Sequence, residues 1–521
     1  MPTTEIYLDC NATTPVLPAA RDAALQALGA QFGNPSSSHC TGLRARALVD
    51  DVRARASRLL GVGAGRLLLV SGATEGIQTA VLSALCALRE RRGAGERVDG
   101  PLLVGATEHK AVPQSLAHWN AVLGLNLPIV EVPVDRNGRH DMAFLQAHIA
   151  SAGLLCTMAA NNETGVVSDI AGIESLLNAG ASRALWLVDC VQALGKLDLD
   201  LQSTRIDYAP FSGHKLYAPK GIGMLYVRAG SPFTPLMVGG GQEGGQRSGT
   251  ENMPGIAALG AVLQALEAGE GVVFRSHASL QQARLRLADA LRAAFSGLVF
   301  NMPFETSLPT TLNFSVPGLS SKALLNLFDA AGMRISAGSA CSAAKAEPSF
   351  VLRAMGLPDW QAEGAARLSI GALTDDAQID EACARIARCG EALQCAAPAA
   401  QALGPAALAA PSPDRQDSTL TAASLPAFLH THPNALLVDV REAFEHAASQ
   451  DRLPWRAQTL CNVPLASLGQ HLPAWLGESH RPLVFFCRSG GRSLQAVQAL
   501  RARGHGQAWH LAGGLALAEM A

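Results

Sequence analysis

Through the first half of the chain, short apolar runs alternate with longer stretches whose apolar positions recur at helical spacing. Arg66–Ser71 (RLLLVS) reads as a strand and Thr74–Arg89 as a helix. Leu102–Gly105, Ile129–Val134, Leu154–Ala159 and Leu185–Val188 read as further strands. Strands alternating with helices predict a largely parallel sheet covered on both faces. From Met253 to Ser296 the apolar period is helical, and Asn313–Val316 and Arg367–Ile370 read as strands of a smaller α+β unit ending near Cys395. The Ala/Pro-rich stretch 396–419, patternless from Ala396 to Asp417, reads as a linker. Beyond it, strands at Leu436–Val440 and Leu483–Cys487 with helices between them predict a small α/β unit over 420–521.

Composition narrows the class. Across 521 residues, 41 basic and 43 acidic residues leave a net charge of -2. No long-range field then draws the chain to nucleic acid or an anionic membrane. No apolar run is long enough to span a bilayer, and Met1–Glu5 lacks the basic and apolar regions of a signal peptide. The eleven cysteines are odd in number and lack paired spacing, which predicts reduced thiols and a cytoplasmic protein. No CxxC or Cys/His cluster suggests a metal. Cys10, Cys40, Cys86, Cys156 and Cys190 are expected as small core or pocket-wall residues.

The chemistry centres on Ser212-Gly213-His214-Lys215-Leu216-Tyr217-Ala218-Pro219-Lys220-Gly221, where a lysine lies between a β-like run and a Gly/Pro turn. A lysine held in a pocket has its pKa lowered by burial and becomes able to form a Schiff base, although a lone lysine is more often a solvated one. Ser71-Gly72-Ala73-Thr74-Glu75 follows a strand and opens a helix, a place where backbone N–H groups hold phosphate, or merely a helix cap. Asp189 ends an apolar strand and suits a protonated pyridine nitrogen or a helix cap, with Gln192 three residues on. His109 and Asn161–Gly165 each follow a strand, where ligand contacts gather in open α/β sheets. Phosphate cradle, carboxylate, histidine and lysine together specify pyridoxal 5'-phosphate (PLP).

These motifs carry a resemblance. Residues 5 to about 395 resemble a NifS/IscS-type cysteine desulfurase of the class-V aminotransferase family, fold-type I PLP enzymes. Matching stretches include Leu8–Pro15, Gly33–Ser37, Ser71–Glu75, Glu108–Val112, Asn161–Gly165, Ser212–Gly221, Arg247–Asn252 and Ser336–Ser342. The resemblance implies the PLP-dependent transferase fold over 1–395, with a large unit of about 16–255 and a small one of about 1–15 and 256–395. It implies Lys215 as the Schiff-base lysine and His109 as the ring-stacking acid/base. Asp189 would pair with the pyridine nitrogen and Gln192 with the phenolic oxygen. Ala73, Thr74, Ser212 and His214 would hold the phosphate, and Thr250 would reach the phosphate in a neighbouring subunit, making a homodimer. Asn162 would contact cofactor and substrate, and Arg367 would grip the substrate carboxylate. Alanine at 218 and cysteine at 190 depart from the family pattern without touching a named role.

Two thiols complete the reading. Cys341 lies in a Ser/Ala/Gly-rich stretch that suits a mobile nucleophile better than a core position. The resemblance makes it the thiol that takes sulfur from L-cysteine as a persulfide and leaves L-alanine. Cys487-Arg488-Ser489-Gly490-Gly491-Arg492-Ser493 lies between a strand and a helix, where N–H donors and two arginines stabilise an anionic sulfur or a phosphate. With Val438–Glu442 and Leu511–Gly514, this loop resembles the active loop of single-domain rhodaneses. Its four residues between Cys487 and Arg492 are one fewer than in related phosphatases, which favours sulfur chemistry.

The expected protein is therefore a cysteine desulfurase with a tethered rhodanese that carries a second sulfurtransferase activity. Sulfur would pass from Cys341 to Cys487 and on to an acceptor, an iron–sulfur scaffold or a carrier for tRNA or cofactor thiolation. The alternative is a selenocysteine lyase or other class-V activity whose C-terminal unit only docks a partner.

Overall fold

A computed structural model describes residues 5–180, 182–338, 348–396, 418–449, 453, 455 and 459–518. The expected linker, apart from its ends, and Cys341 lie outside the described residues.

After β1 (Ile6–Tyr7), α1 (Pro18–Gly29) and α2 (Cys40–Leu59), the chain builds a seven-stranded sheet. Its strands are β2 (Arg66–Val70), β3 (Leu102–Gly105), β4 (Ile129–Val132), β5 (Leu154–Met158), β6 (Leu185–Asp189), β7 (Tyr208–Ser212) and β8 (Gly223–Val227), in the order β2-β8-β7-β6-β5-β3-β4. Only β8 runs against the rest. Side chains alternate across the sheet: Leu67 and Leu69 enter one apolar core while Leu68 and Val70 enter the other. Both faces are covered, which is why RLLLV reads as a continuous apolar run. The crossover helices are α3 (Ala73–Gly93), α4 (Ala111–Val122), α5 (Met142–His148) and α6 (Ile170–Ala179).

The helical pattern expected from Met253 to Ser296 is two helices, α7 (Met253–Glu267) and α8 (His277–Ala294). Gly269 and Gly271, both at left-handed φ, break it between them. α7 packs with α1 and α2 in the large-sheet core, and the second core begins only at Leu280, later than the position near 256 expected for the small unit. Strands β9 (Val299–Phe300), β10 (Thr311–Ser315) and β12 (Ala365–Ser369) form an antiparallel sheet in the order β12-β10-β9. Strand β11 (Met333–Arg334) pairs with β1, which draws Ile6 and Leu8 into the second core. Helices α9 (Ser321–Ala330), α10 (Phe350–Ala354), α11 (Asp359–Gly364) and α12 (Asp376–Ala396) complete this part.

The C-terminal residues form a five-stranded all-parallel sheet of order β13-β17-β16-β14-β15. Its strands are β13 (Thr419–Leu420), β14 (Leu436–Asp439), β15 (Leu460–Asn462), β16 (Leu483–Phe486) and β17 (Ala508–Leu511). Its helices are α13 (Leu425–Thr431), α14 (Ala443–Ser449), α15 (Leu468–Gly477), α16 (Gly491–Arg501) and α17 (Gly514–Ala518). Val438 and Phe485 point to one apolar core, Leu437 and Phe486 to the other. No described helix is long and apolar enough to cross a membrane.

Cys10, Cys86, Cys156 and Cys190 are buried as expected. Cys40 is exposed instead, because it opens α2 and its first turn faces solvent.

Candidate active sites

The sequence-predicted residues of the first site converge at the carboxyl ends of the parallel strands. Ala73 and Thr74 follow β2, His109 follows β3, Asn162 follows β5, Asp189 ends β6, and Ser212 ends β7 with His214 and Lys215 just beyond. In open α/β sheets this edge holds ligands. The Lys215 ammonium donates to the Asn11 and Ala12 carbonyls at 2.5 and 2.7 Å. The stretch Leu8–Pro15 is therefore the floor of the lysine pocket. Thr14 Oγ1 donates to the His214 carbonyl at 3.0 Å and accepts from the Tyr217 N–H at 2.7 Å.

α3 is preceded by Gly72, which offers no side-chain cap and lies beside Ser212. A Cβ on Gly223 of β8 would lie 2.7 Å from the Gly72 Cα, so only glycine lets that strand approach the turn. The turn is stiffened by Glu75, which accepts from the Ser71 N–H at 2.7 Å and from Arg247 Nε at 2.9 Å. Burial raises the Glu75 carboxyl's pKa, but the bonds from Arg247 and Ser71 outweigh it and hold it below its ordinary value. This pair ties the Arg247–Asn252 stretch, with exposed Thr250, to the helix start.

Charge at the site is arranged for a ring with a basic nitrogen and an anionic group. Burial pushes the Asp189 carboxyl up, despite the Val191 N–H it accepts at 2.9 Å and the nearby His109 and Lys215. A buried carboxylate left so is stabilised by a cation, such as a protonated pyridine nitrogen. Burial pushes His109 down, aided by Lys215 and Lys110 and opposed by Asp189, although its ring opens to solvent at the mouth of the site. His214 is pushed down to about 4 by burial, then by Lys215 and Lys220, so it is neutral at physiological pH. Uncapped helix start, hydroxyl, lysine and buried carboxylate together fit PLP.

Sequence reading missed Lys196. Its ammonium donates to Gln192 Oε1 at 2.5 Å, and Gln192 Nε2 donates to the same Asn11 carbonyl that Lys215 holds, at 3.1 Å. Burial, Lys215 and Arg367 push Lys196 down to about 7, against Cys10. Its place four residues after Gln192 was the only signal.

Arg367, buried on β12, donates through Nη1 to the Asn162 and Gly338 carbonyls at 2.9 and 2.8 Å and pairs through Nη2 with Asp9 at 2.5 Å. Its Nε is a buried donor without a partner. Arg367 thus joins this site to Gly338, the last described residue before Cys341.

The second site is the loop after β16. The buried Cys487 sulfur accepts from the Gly490 N–H at 3.2 Å and lies 3.7 Å from Ser493 Oγ. Its carbonyl accepts from the Leu515 N–H at 2.9 Å. A Cβ on Gly514 would meet that carbonyl oxygen at 2.2 Å, and one on Gly513, at φ 71°, would meet Leu517 at 2.2 Å, which explains the two glycines that end Leu511–Gly514. Arg492 forks onto Glu445 at 2.5 and 2.8 Å, and Asp439 holds Arg441 and His446 at 2.7 and 2.9 Å.

Residues 6–381 match the Aminotransferase class-V family. The chain belongs to that family. Residues 421–519 of this class-V aminotransferase match the Rhodanese-like domain. A cysteine desulfurase of Cereibacter sphaeroides is 38% identical over 379 residues, 72% of this chain and 93% of that protein. Another, of Gluconacetobacter diazotrophicus, is 37% identical over 377 residues, 72% and 90% of the two chains. Among solved structures, a NifS-like protein aligns with TM-score 0.65 and 30% identity, over 75% of this chain and all of its own. DndA of Streptomyces lividans aligns with TM-score 0.57 and 31% identity, over 69% and 97%. Class-V aminotransferases of this kind depend on PLP, and PLP is the cofactor of this chain.

Proposed function

We propose that the chain is a cysteine desulfurase that converts L-cysteine to L-alanine and relays the sulfur from Cys341 through Cys487 to an acceptor. Lys215 would hold PLP, Asp189 and Gln192 would bond its ring, His109 would stack on it, and Ala73, Thr74, Ser212 and His214 would bind its phosphate. When bound, PLP supplies an electron sink beside the substrate carbon. Arg367 binds the substrate carboxylate, its orphan Nε providing a donor, and Asn162 borders both groups. Lys215 and His109 move protons at the substrate carbon. The Cys341 thiolate attacks the substrate sulfur: an S–S bond forms as the C–S bond breaks, and the carbon takes a proton to leave as alanine. Cys487 thiolate then attacks the outer sulfur of that persulfide and releases Cys341 as a thiolate, so no external oxidant is needed.

One observation carries the relay. A cleft of about 1110 Å³ is lined by Gly338 and Pro348, which flank the stretch containing Cys341, and by Arg488, Ser489, Gly491 and Arg492 of the Cys487 loop. The same reading makes the protein a cytoplasmic homodimer, which the exposed Leu25, Leu28 and Phe32 support. Its acceptor is a protein thiol of iron–sulfur assembly or thiolation chemistry.

The test is mass spectrometry of PLP-loaded protein after brief exposure to L-cysteine, with domain-resolved digestion. Extra sulfur is expected on Cys341 first and Cys487 second, and on neither in Cys341→Ala. Sulfur on Cys341 alone rejects the relay, and none on either rejects the desulfurase.

A further inference from the structure

Helix α14 connects the two halves of the molecule. Its Ala448 is buried in the second core of the aminotransferase part, and Phe444 and Ala447 pack against that core, on α9 and α12. From the same helix Glu445 takes the fork of Arg492 in the Cys487 loop. One side of α14 thus seats on the aminotransferase part while another grips the loop. Arg488, next to Cys487, points the other way. Its Nε lies 2.7 Å from Asp329 Oδ2, its Nη2 3.2 Å from Asp329 Oδ1, and its Nη1 3.2 Å from Asn326 Oδ1, all on α9.

The two arginines therefore have separate tasks. Arg492 is committed within its own unit, and Arg488 fixes that unit's loop to α9 at the edge of the cleft. Both groups of the Arg488–Asp329 pair are partly exposed, so solvent screens it and it adds little stability. What a planar fork on a carboxylate fixes is direction. The apolar seat of α14 supplies the adhesion, and the fork sets the angle at which the Cys487 loop faces Gly338 and Pro348.

We propose that this clamp makes sulfur transfer run within one chain, from Cys341 to Cys487 of the same polypeptide, with Asp329 as a positioning residue. The proposal rests on the relay described above. Against a chain of another dimer at micromolar concentration, a tethered thiol at roughly millimolar effective concentration gains about 10³; within the dimer, it is the direction fixed by the Arg488–Asp329 fork that favours the Cys341 of the same chain.

Two experiments on the full-length, PLP-loaded protein test it. In the first, Cys341→Ala and Cys487→Ala chains carrying different tags are co-expressed, and mixed oligomers are purified. A brief pulse of L-cysteine should label Cys341 of one chain and leave Cys487 of the other below about a tenth of its wild-type level. Labelling of that Cys487 near the wild-type rate overturns the proposal. In wild type run alongside, failure to label Cys487 would instead sink the relay itself, so the two failures are distinguishable. In the second, Asp329→Lys should slow Cys487 labelling at least about tenfold, while Asp329→Glu stays close to wild type. Cys341 labelling should be unchanged in both, which reports an intact fold and first step. Equal Cys487 labelling in Asp329→Lys and wild type overturns the clamp.

Discussion

Lys196 would pass as a surface lysine in the chain alone, yet it decides how Gln192 is oriented. Below its lowered pKa of about 7, Lys196 is an ammonium that only donates, so the Gln192 amide turns its oxygen to Lys196 and its NH2 toward the Lys215 side. That is the orientation in which the amide can donate to the phenolic oxygen of PLP, the role proposed for Gln192. Lys196→Met removes the constraint and a nearby positive charge, both of which favour the deprotonated oxygen. The midpoint of the cofactor's absorbance–pH titration is expected to rise by about one unit, the size of one charge-assisted hydrogen bond. Against a Gln192→Ala background the same change should have little effect; an undiminished shift there would mean the lysine acts by charge alone. Other residues were legible because their position carries meaning. Asp189 at the end of a strand and Lys215 after one both lie at the sheet edge where they were expected. Cys40 was misread because the pattern around it does not separate a buried thiol from one on an exposed first turn.

Elements were read best where both faces are buried. Leu102–Gly105 is a strand over the span expected, because a central parallel strand is apolar throughout. The run Met253–Ser296 was read as one helical period, although Gly269-Glu270-Gly271 within it carried the turn signal. The sequence reading did not include β8 among its strands, and nothing local shows that it runs against its neighbours, since direction depends on the connection. In the C-terminal sheet, Asp439 anchors the turn after β14. Burial would raise its carboxyl, but the bonds from His446 and Arg441 prevail and hold it below the usual 3.8. The folded state thus favours the ionised form. The stability this contributes is full above pH 3.8 and is lost as pH falls through the lower folded value. Hydrogen-exchange protection of Leu483–Phe486 in the full chain, after correction for the intrinsic pH dependence of exchange, should fall on acidification through that window. Asp439→Asn should destabilise the sheet at neutral pH and flatten this dependence.

At the scale of the molecule, the two parts share an apolar contact, so neither is indifferent to the other. Removing residues 396–521 would uncover the part of the second core that Phe444, Ala447 and Ala448 cover. The aminotransferase part alone is expected to melt roughly 2–4 °C lower than in the full chain, as the loss of a small apolar contact implies. Calorimetry with PLP bound would check it, and an unchanged melting temperature would mean that the contact adds no stability.

What the sequence by itself determined is local and periodic: the alternation that makes a two-faced parallel sheet, the breakers between units, and motifs whose spacing carries chemistry over a few residues. These follow from backbone geometry and side-chain period, which any stretch of chain expresses alone. Tertiary structure decided which distant residues meet: Arg247 with Glu75, Asn11 beneath Lys215, Arg367 with Gly338, Arg488 with Asp329. Each of these is a local polar contact between side chains or carbonyls far apart in the chain. It has no period to mark it, and only the packing of the apolar cores brings its two ends within reach.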